Sequence, residues 1–112
     1  MSSILDIAGT LNLPKVTPPV VPGSVAMVAE RLGLTITLTS PSVPEQYSVE
    51  RKGQPAGHIH VRHFGMSIDY PDVGGDRIYE GPVDGFGGFT DHERETQLLF
   101  ALGLIAARIM AA

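Results

Sequence analysis

The sequence predicts an α+β fold, an antiparallel meander of about four to five strands with a C-terminal helix packed on one face. Three observations predict it. Residues 34–39, LTITLT, alternate apolar and polar side chains with the period of a half-buried strand. The short strand-like runs QYSVER, HIHVR, MSIDY and RIYEG follow, separated by turns containing Gly or Pro. The stretch LLFALGLIAARIMAA, residues 98–112, then closes the chain as a helix.

Composition bounds what this fold can do. The 112 residues suit one domain, and a chain of this size buries roughly two thirds of its unfolded surface. Apolar residues at 43% against 18% charged suit a folded globule. With no cysteine, disulfides, thiolate metal sites and cysteine nucleophiles are excluded. The net charge of −4 and the lack of a basic run make nucleic acid an unlikely partner, although Arg51, Lys52, Arg62 and Arg77 are candidates to cluster. No basic start leads into an apolar run, so no signal peptide is expected, and the expected setting is host cytoplasm or a virion. The uninterrupted apolar run Leu98–Ala107 holds 10 residues. A bilayer span needs about 20, so a buried helix is expected there, and no membrane span.

The elements follow in order. Residues 1–23 read as an arm and residues 24–112 as a single domain. In the arm, Ile4, Leu5, Ile7, Ala8 and Leu11 recur at near-helical spacing behind a Ser2 or Ser3 cap, and Gly9 and Asn12 limit the helix. Prolines 14, 18, 19 and 22 then impose an extended path. Ser24 is expected to cap a short helix, VAMVAERL, that Gly33 closes. In the strands after LTITLT, Ile59 and Val61 face one way, and His58, His60 and Arg62 the other. Met66, Ile68 and Tyr70 should join the apolar face, leaving Ser67 and Asp69 outside. A glycine near the hairpin tip, Gly65, suits positive φ. The last helix starts at Thr90 or Asp91 behind a capping box, Thr90-x-x-Glu93.

Candidate sites come from four features. Residues 57–64, GHIHVRHF, hold three of the four histidines. His58 or His60 should stand opposite Asp69, and His58, His60 and Asp69 are the candidate ligands of a divalent metal. The loop PVDGFGGF carries Phe86 and Phe89, either tucked beneath the sheet or offered to a partner. The last helix is apolar almost all round, with Phe100 and Leu104 among residues that a small domain cannot surround. Burying them against a partner or a second copy is favourable at about 25 cal/mol per Å². The apolar side chains of the arm, Ile4, Leu5, Ile7 and Leu11, complete the expected partner-binding set. The acidic stretch 71–95 matches neither a calcium loop nor a phosphate loop, and no cofactor is expected.

Two resemblances bear on function. GQPAGHIHVRHF resembles the signature of the histidine-triad nucleotide hydrolases at Gly53, Gln54, His58 and His60. Arg62 occupies the place of the final histidine, and His63 falls one position late. That resemblance implies a small metal- or phosphate-handling hydrolase as the alternative function. The His-x-His pair also begins the cupin pattern, but Phe64 and Gly65 stand where its glutamate belongs. Residues 47 to about 107 are similar to a group of small bacterial and phage proteins. The shared pattern reads here as G57-H-I-H-V-R62-H63-F-G-M, P71-D-V-G-G75, I78-Y-E80 and G85-F-G-G-F89-T-D91-H-E-R-E95. It implies no activity of its own. The first expectation is therefore a non-enzymatic interaction or structural module that self-associates or binds a protein through the arm and the last helix. A phage or prophage accessory, virion-attached or binding a host factor, is the expected setting.

Overall fold

The computed structural model describes residues 19–111. Helix α1 spans Gly23–Arg31, and strands β1 (Thr35–Ser40), β2 (Glu45–Arg51), β3 (Gln54–Arg62), β4 (Gly65–Tyr70) and β5 (Asp76–Pro82) follow it. Helix α2, Asp91–Ala111, comes last. The five strands form one sheet in the order β1-β2-β3-β4-β5, every neighbouring pair antiparallel. The α+β meander read from the sequence is thus the architecture. Both helices lie on the same sheet face, with α1 against α2 and β1, and α2 across β3 and β4.

Strand alternation positions the core. Ile36, Tyr47, Val49, Ile59, Val61, Met66 and Ile68 point toward the helices and are buried. Val25 and Ala29 of α1 and Leu98, Ala101, Leu102 and Ile105 of α2 meet them. The closest crossing is at Gly57, where a Cβ would stand 2.6 Å from Ile105 Cδ1, so a side chain at that point would force Ile105 aside. Among the described residues, no helix is long and apolar enough to cross a membrane.

The structure corrects two local expectations. Ser24 is not a cap: Pro22 holds the N-cap position of α1, and no side chain caps it. The Ser24 hydroxyl instead donates to Glu95 of α2 at 2.5 Å, tying the two helices together. At the β3–β4 tip the positive φ falls on His63 and Phe64, not on Gly65. Gly33 does close α1, with φ +75° just after the helix. The capping box of α2 is reciprocal. Glu93 N–H donates to Thr90 Oγ1 at 3.3 Å, and Thr90 N–H donates to Glu93 Oε2 at 2.9 Å.

Candidate functional site

The β3–β4 hairpin turns in two residues. Arg62 pairs with Gly65, which leaves His63 and Phe64 at the tip with φ of +52° and +61°. Two central residues of positive φ match the strand twist, a role that Asn-Gly ordinarily fills. The β2–β3 turn comes closer to that rule, with Lys52 and Gly53 at the same kind of φ. An imidazole and a phenyl ring in this conformation cost on the order of 1 kcal/mol each, and persist only where the surroundings hold them. Here the glycine-rich loop before α2 does so. Phe64 N–H donates to the Phe86 carbonyl at 3.0 Å, and Val83 N–H donates to the Phe64 carbonyl at 2.9 Å. The rings follow the backbone. His63 stacks on Phe86 with centroids 5.7 Å apart, and Phe64 meets Phe86 edge-on at 5.0 Å.

These rings are offered outward. Phe64 and Phe86 are each 56% exposed. Val43, 72% exposed, borders them: a Cβ on Gly87 would lie 2.3 Å from Val43 Cγ1, and Glu45 N–H donates to the Gly87 carbonyl at 2.8 Å. Val43, His63, Phe64 and Phe86 therefore form an exposed apolar cluster at one end of the sheet, built from three separate loops.

Beneath the cluster lies a buried polar frame. Glu45, at the start of β2, and Arg94, in the first turn of α2, form a two-point pair, Nε to Oε2 at 2.9 Å and Nη2 to Oε1 at 3.0 Å. Arg94 also donates to the Phe89 carbonyl at 2.9 Å, and the Tyr47 hydroxyl donates to Glu45. Hydrogen bonding to Glu45 raises the Arg94 pKa, while burial followed by the Glu45 carboxylate raises that of Tyr47. Glu93 accepts from the N–H groups of Asp84, Gly85 and Thr90, at 2.8, 2.8 and 2.9 Å. Burial pushes its carboxyl up, but these backbone donors outweigh burial and hold it below its ordinary value. The Glu-Arg-Glu run of the sequence is thus a set of three anchors, Glu93 to the loop, Arg94 to β2 and Glu95 to α1.

The opposite sheet face, on which no helix of the described residues packs, carries the histidines. Two rungs cross it: Ser48, His58, Asp69 and Arg77 in one, Gln46, His60, Ser67 and Glu80 in the other. His58 is the residue opposite Asp69. Its Nε2 lies 3.1 Å from Gln46 Oε1, while Asp69 accepts from Arg77 Nε at 2.6 Å. That hydrogen bond from Arg77, set against burial, holds the Asp69 pKa low. His60 Nε2 is buried without a partner among the described residues. Burial first, then the nearby His58, Arg62 and Arg77, lowers the His60 pKa. An open cleft of ≈ 600 Å³ runs from His60 and Ser67 past Arg77 and Glu80 to Phe64. Among the described residues, no three His, Cys, Asp or Glu side chains are grouped to hold a metal ion. For the hydrolase alternative, Arg62 ends β3 and His63 sits in the turn, so neither extends the His58 and His60 pair as a third histidine on that face.

The other predicted residues divide. The structure brings Phe86 to the exposed cluster and buries Phe89 against Tyr47, with centroids 6.3 Å apart. Phe100 of α2 is 44% exposed and meets Tyr79 of β5 edge-on at 5.0 Å, and Leu104 is half-buried. Ile4, Leu5, Ile7 and Leu11 lie outside the described residues. Arg62 and Arg77 share the cleft, but Arg51 and Lys52 turn at the other end of β3, so the four basic residues do not gather. Val43, His63 and Phe64 stand outside the partner-binding set expected from the sequence. The signal available was the spacing from Arg62 to Gly65, which forces two bulky residues into a two-residue tip. Comparison with protein-family models, with curated proteins and with solved structures finds no match for this chain.

Proposed function

We propose that this chain is a non-enzymatic protein-interaction module that grips a partner through Val43, His63, Phe64 and Phe86. The observation that carries the reading is the pair of bulky, outward-facing residues held at positive φ on a rigid hairpin tip. Strain in a turn that Asn-Gly would make easily is a feature associated with binding sites. Exposed aromatics fixed in advance lose little conformational entropy on docking, which is why such residues dominate interface hot spots. The neighbouring cleft, with Arg62, Arg77 and Ser67 along it, supplies a polar rim. The resemblance read in residues 47 to about 107 extends this reading to an accessory role in a phage or prophage, attached to a virion or bound to a host factor.

The test is a random-peptide display selection against the full chain, followed by affinity measurement on purified variants. Selected peptides are expected to lose at least about tenfold in affinity for Phe64→Ala and for Phe86→Ser, a loss of about 1.4 kcal/mol or more. Peptides that bind these variants as tightly as the parent would remove the cluster from the binding surface.

A further inference from the structure

The cleft on the histidine face owes its shape to the small side chains of β4. In one rung Gly65 stands between Arg62 of β3 and Pro82 of β5, and in the next Ser67 stands between His60 and Glu80. Gly65 and Ser67 are the floor of the cleft, His60 and Arg62 one wall, Glu80 and Pro82 the other, and Phe64 borders it. The strands on either side of β4 lie about 9–10 Å apart, at about 4.8 Å per neighbour. That width admits a side chain but not a second length of backbone.

The charges decide which side chain. The chain as a whole carries −4, yet two guanidiniums, Arg62 and Arg77, line the cleft against one carboxylate, Glu80. Arg77 is already engaged: its Nε and Nη2 donate to Asp69 at 2.6 and 3.4 Å, and its Nη1 lies 3.5 Å from Glu80. Arg62 makes no ion pair among the described residues and keeps the donor fork of its guanidinium. A cation in the cleft would face two like charges, whereas a carboxylate faces one and gains a two-point bond from Arg62. The floor adds the Ser67 hydroxyl as a neutral donor. His60, in the wall, has its Nε2 buried without a partner among the described residues. A buried nitrogen is ordinarily met by protein, water or ligand, and an imidazole Nε2–H donates well to a carboxylate.

We propose that this cleft receives an acidic side chain of the partner, held by Arg62 with Ser67 and His60, an inference that rests on reading the neighbouring aromatic cluster as a partner-binding surface. Spacing makes the recognised sequence specific. From Gly65, beside the hairpin tip, to Ser67 is about 7 Å, two residues at about 3.4 Å each. In an extended partner, alternate side chains point the same way at that same spacing. The partner segment is therefore a large apolar residue with Asp or Glu two positions away. The apolar residue meets Phe64 and Phe86, and the carboxylate enters the cleft. The rings supply contact area, and the cleft selects among apolar segments by charge.

Two measurements test this, one of them without any partner. In the full chain, the ring signals of His60 and His92 are titrated by NMR in sodium acetate and in sodium chloride of equal ionic strength. The groups around His60, namely His58, His63, Arg62, Arg77, Asp69 and Glu80, are common to both salts. Acetate is expected to raise the midpoint of His60 and leave that of His92, on α2 outside the cleft, unchanged, and Arg62→Gln should erase the difference. Equal His60 midpoints in the two salts would overturn the proposal whatever becomes of the aromatic cluster. In the second measurement, changing the acidic residue of a display-selected peptide to its amide should cost at least about tenfold in affinity for the parent and little for Arg62→Gln. Phe64→Ala should weaken both peptide forms alike. Loss of binding in Phe64→Ala with none in Arg62→Gln would keep the aromatic cluster as the binding surface and overturn the carboxylate site alone. Amidating the peptide C-terminus should change nothing, and a loss there would overturn the side chain as occupant in favour of a chain end.

Discussion

At the scale of single residues, the ionisable groups have separate pH windows. The folded-state pKa of His60 is lowered from 6.5, by burial before the neighbouring His58, Arg62 and Arg77, with Asp69 opposing. The unfolded chain then binds the proton more readily than the folded one, so stability rises with pH in this window. The contribution of His60 is complete above about pH 6.5 and is lost as pH falls toward the folded value. Asp69 and Glu93 are also lowered, from 3.8 and 4.5, so their stabilisation is lost only in more acidic solution. Denaturant melts from pH 8 down to pH 3 should show two stages of loss, and His60→Gln should abolish the first while leaving the second. Arg94 is the residue whose loss should cost most. Removing it leaves Glu45 charged and buried, for which about 3–5 kcal/mol is expected in chemical denaturation of Arg94→Ala.

At the scale of elements, the hairpin tip separates structure from function. Phe64→Gly relieves a backbone strain of about 1 kcal/mol and loses an aromatic contact of about the same size. Its stability should therefore stay within about 1 kcal/mol of the parent, while peptide binding is lost. A cost of about 3 kcal/mol or more, usual for a core phenylalanine, would instead place the ring in the structural frame. Most of this level was legible in the sequence, because period and turn residues act locally. Alternation set the faces of β3 and β4, and Thr90 with Glu93 announced the start of α2. What local pattern could not carry was register and partnership. Asp69 stands opposite His58 but is held by Arg77, from a strand that the hairpin itself does not contain. Glu45 meets Arg94 across half the chain, a pairing that no spacing rule announces. The two phenylalanines of the loop went to opposite fates because Tyr47 offered a buried wall to Phe89, whereas Phe86 met only the hairpin tip.

At the scale of the whole molecule, one contact governs how the helix lies on the sheet. Gly57→Ala should cost about 1–2 kcal/mol by forcing the buried Ile105 aside, and Ile105→Val in the same chain should recover part of it by removing the methyl that collides. A double-mutant cycle measured by thermal melts checks this, and strict additivity would mean that the crossing is looser than 2.6 Å implies.

All five strands precede α2 in the chain, yet α2 is their cover over Ile59, Val61, Met66 and Ile68. The strands therefore emerge from a ribosome ahead of the helix that covers them. Through that interval the nascent chain resembles an edge-bearing, sticky intermediate of the kind that recruits chaperones.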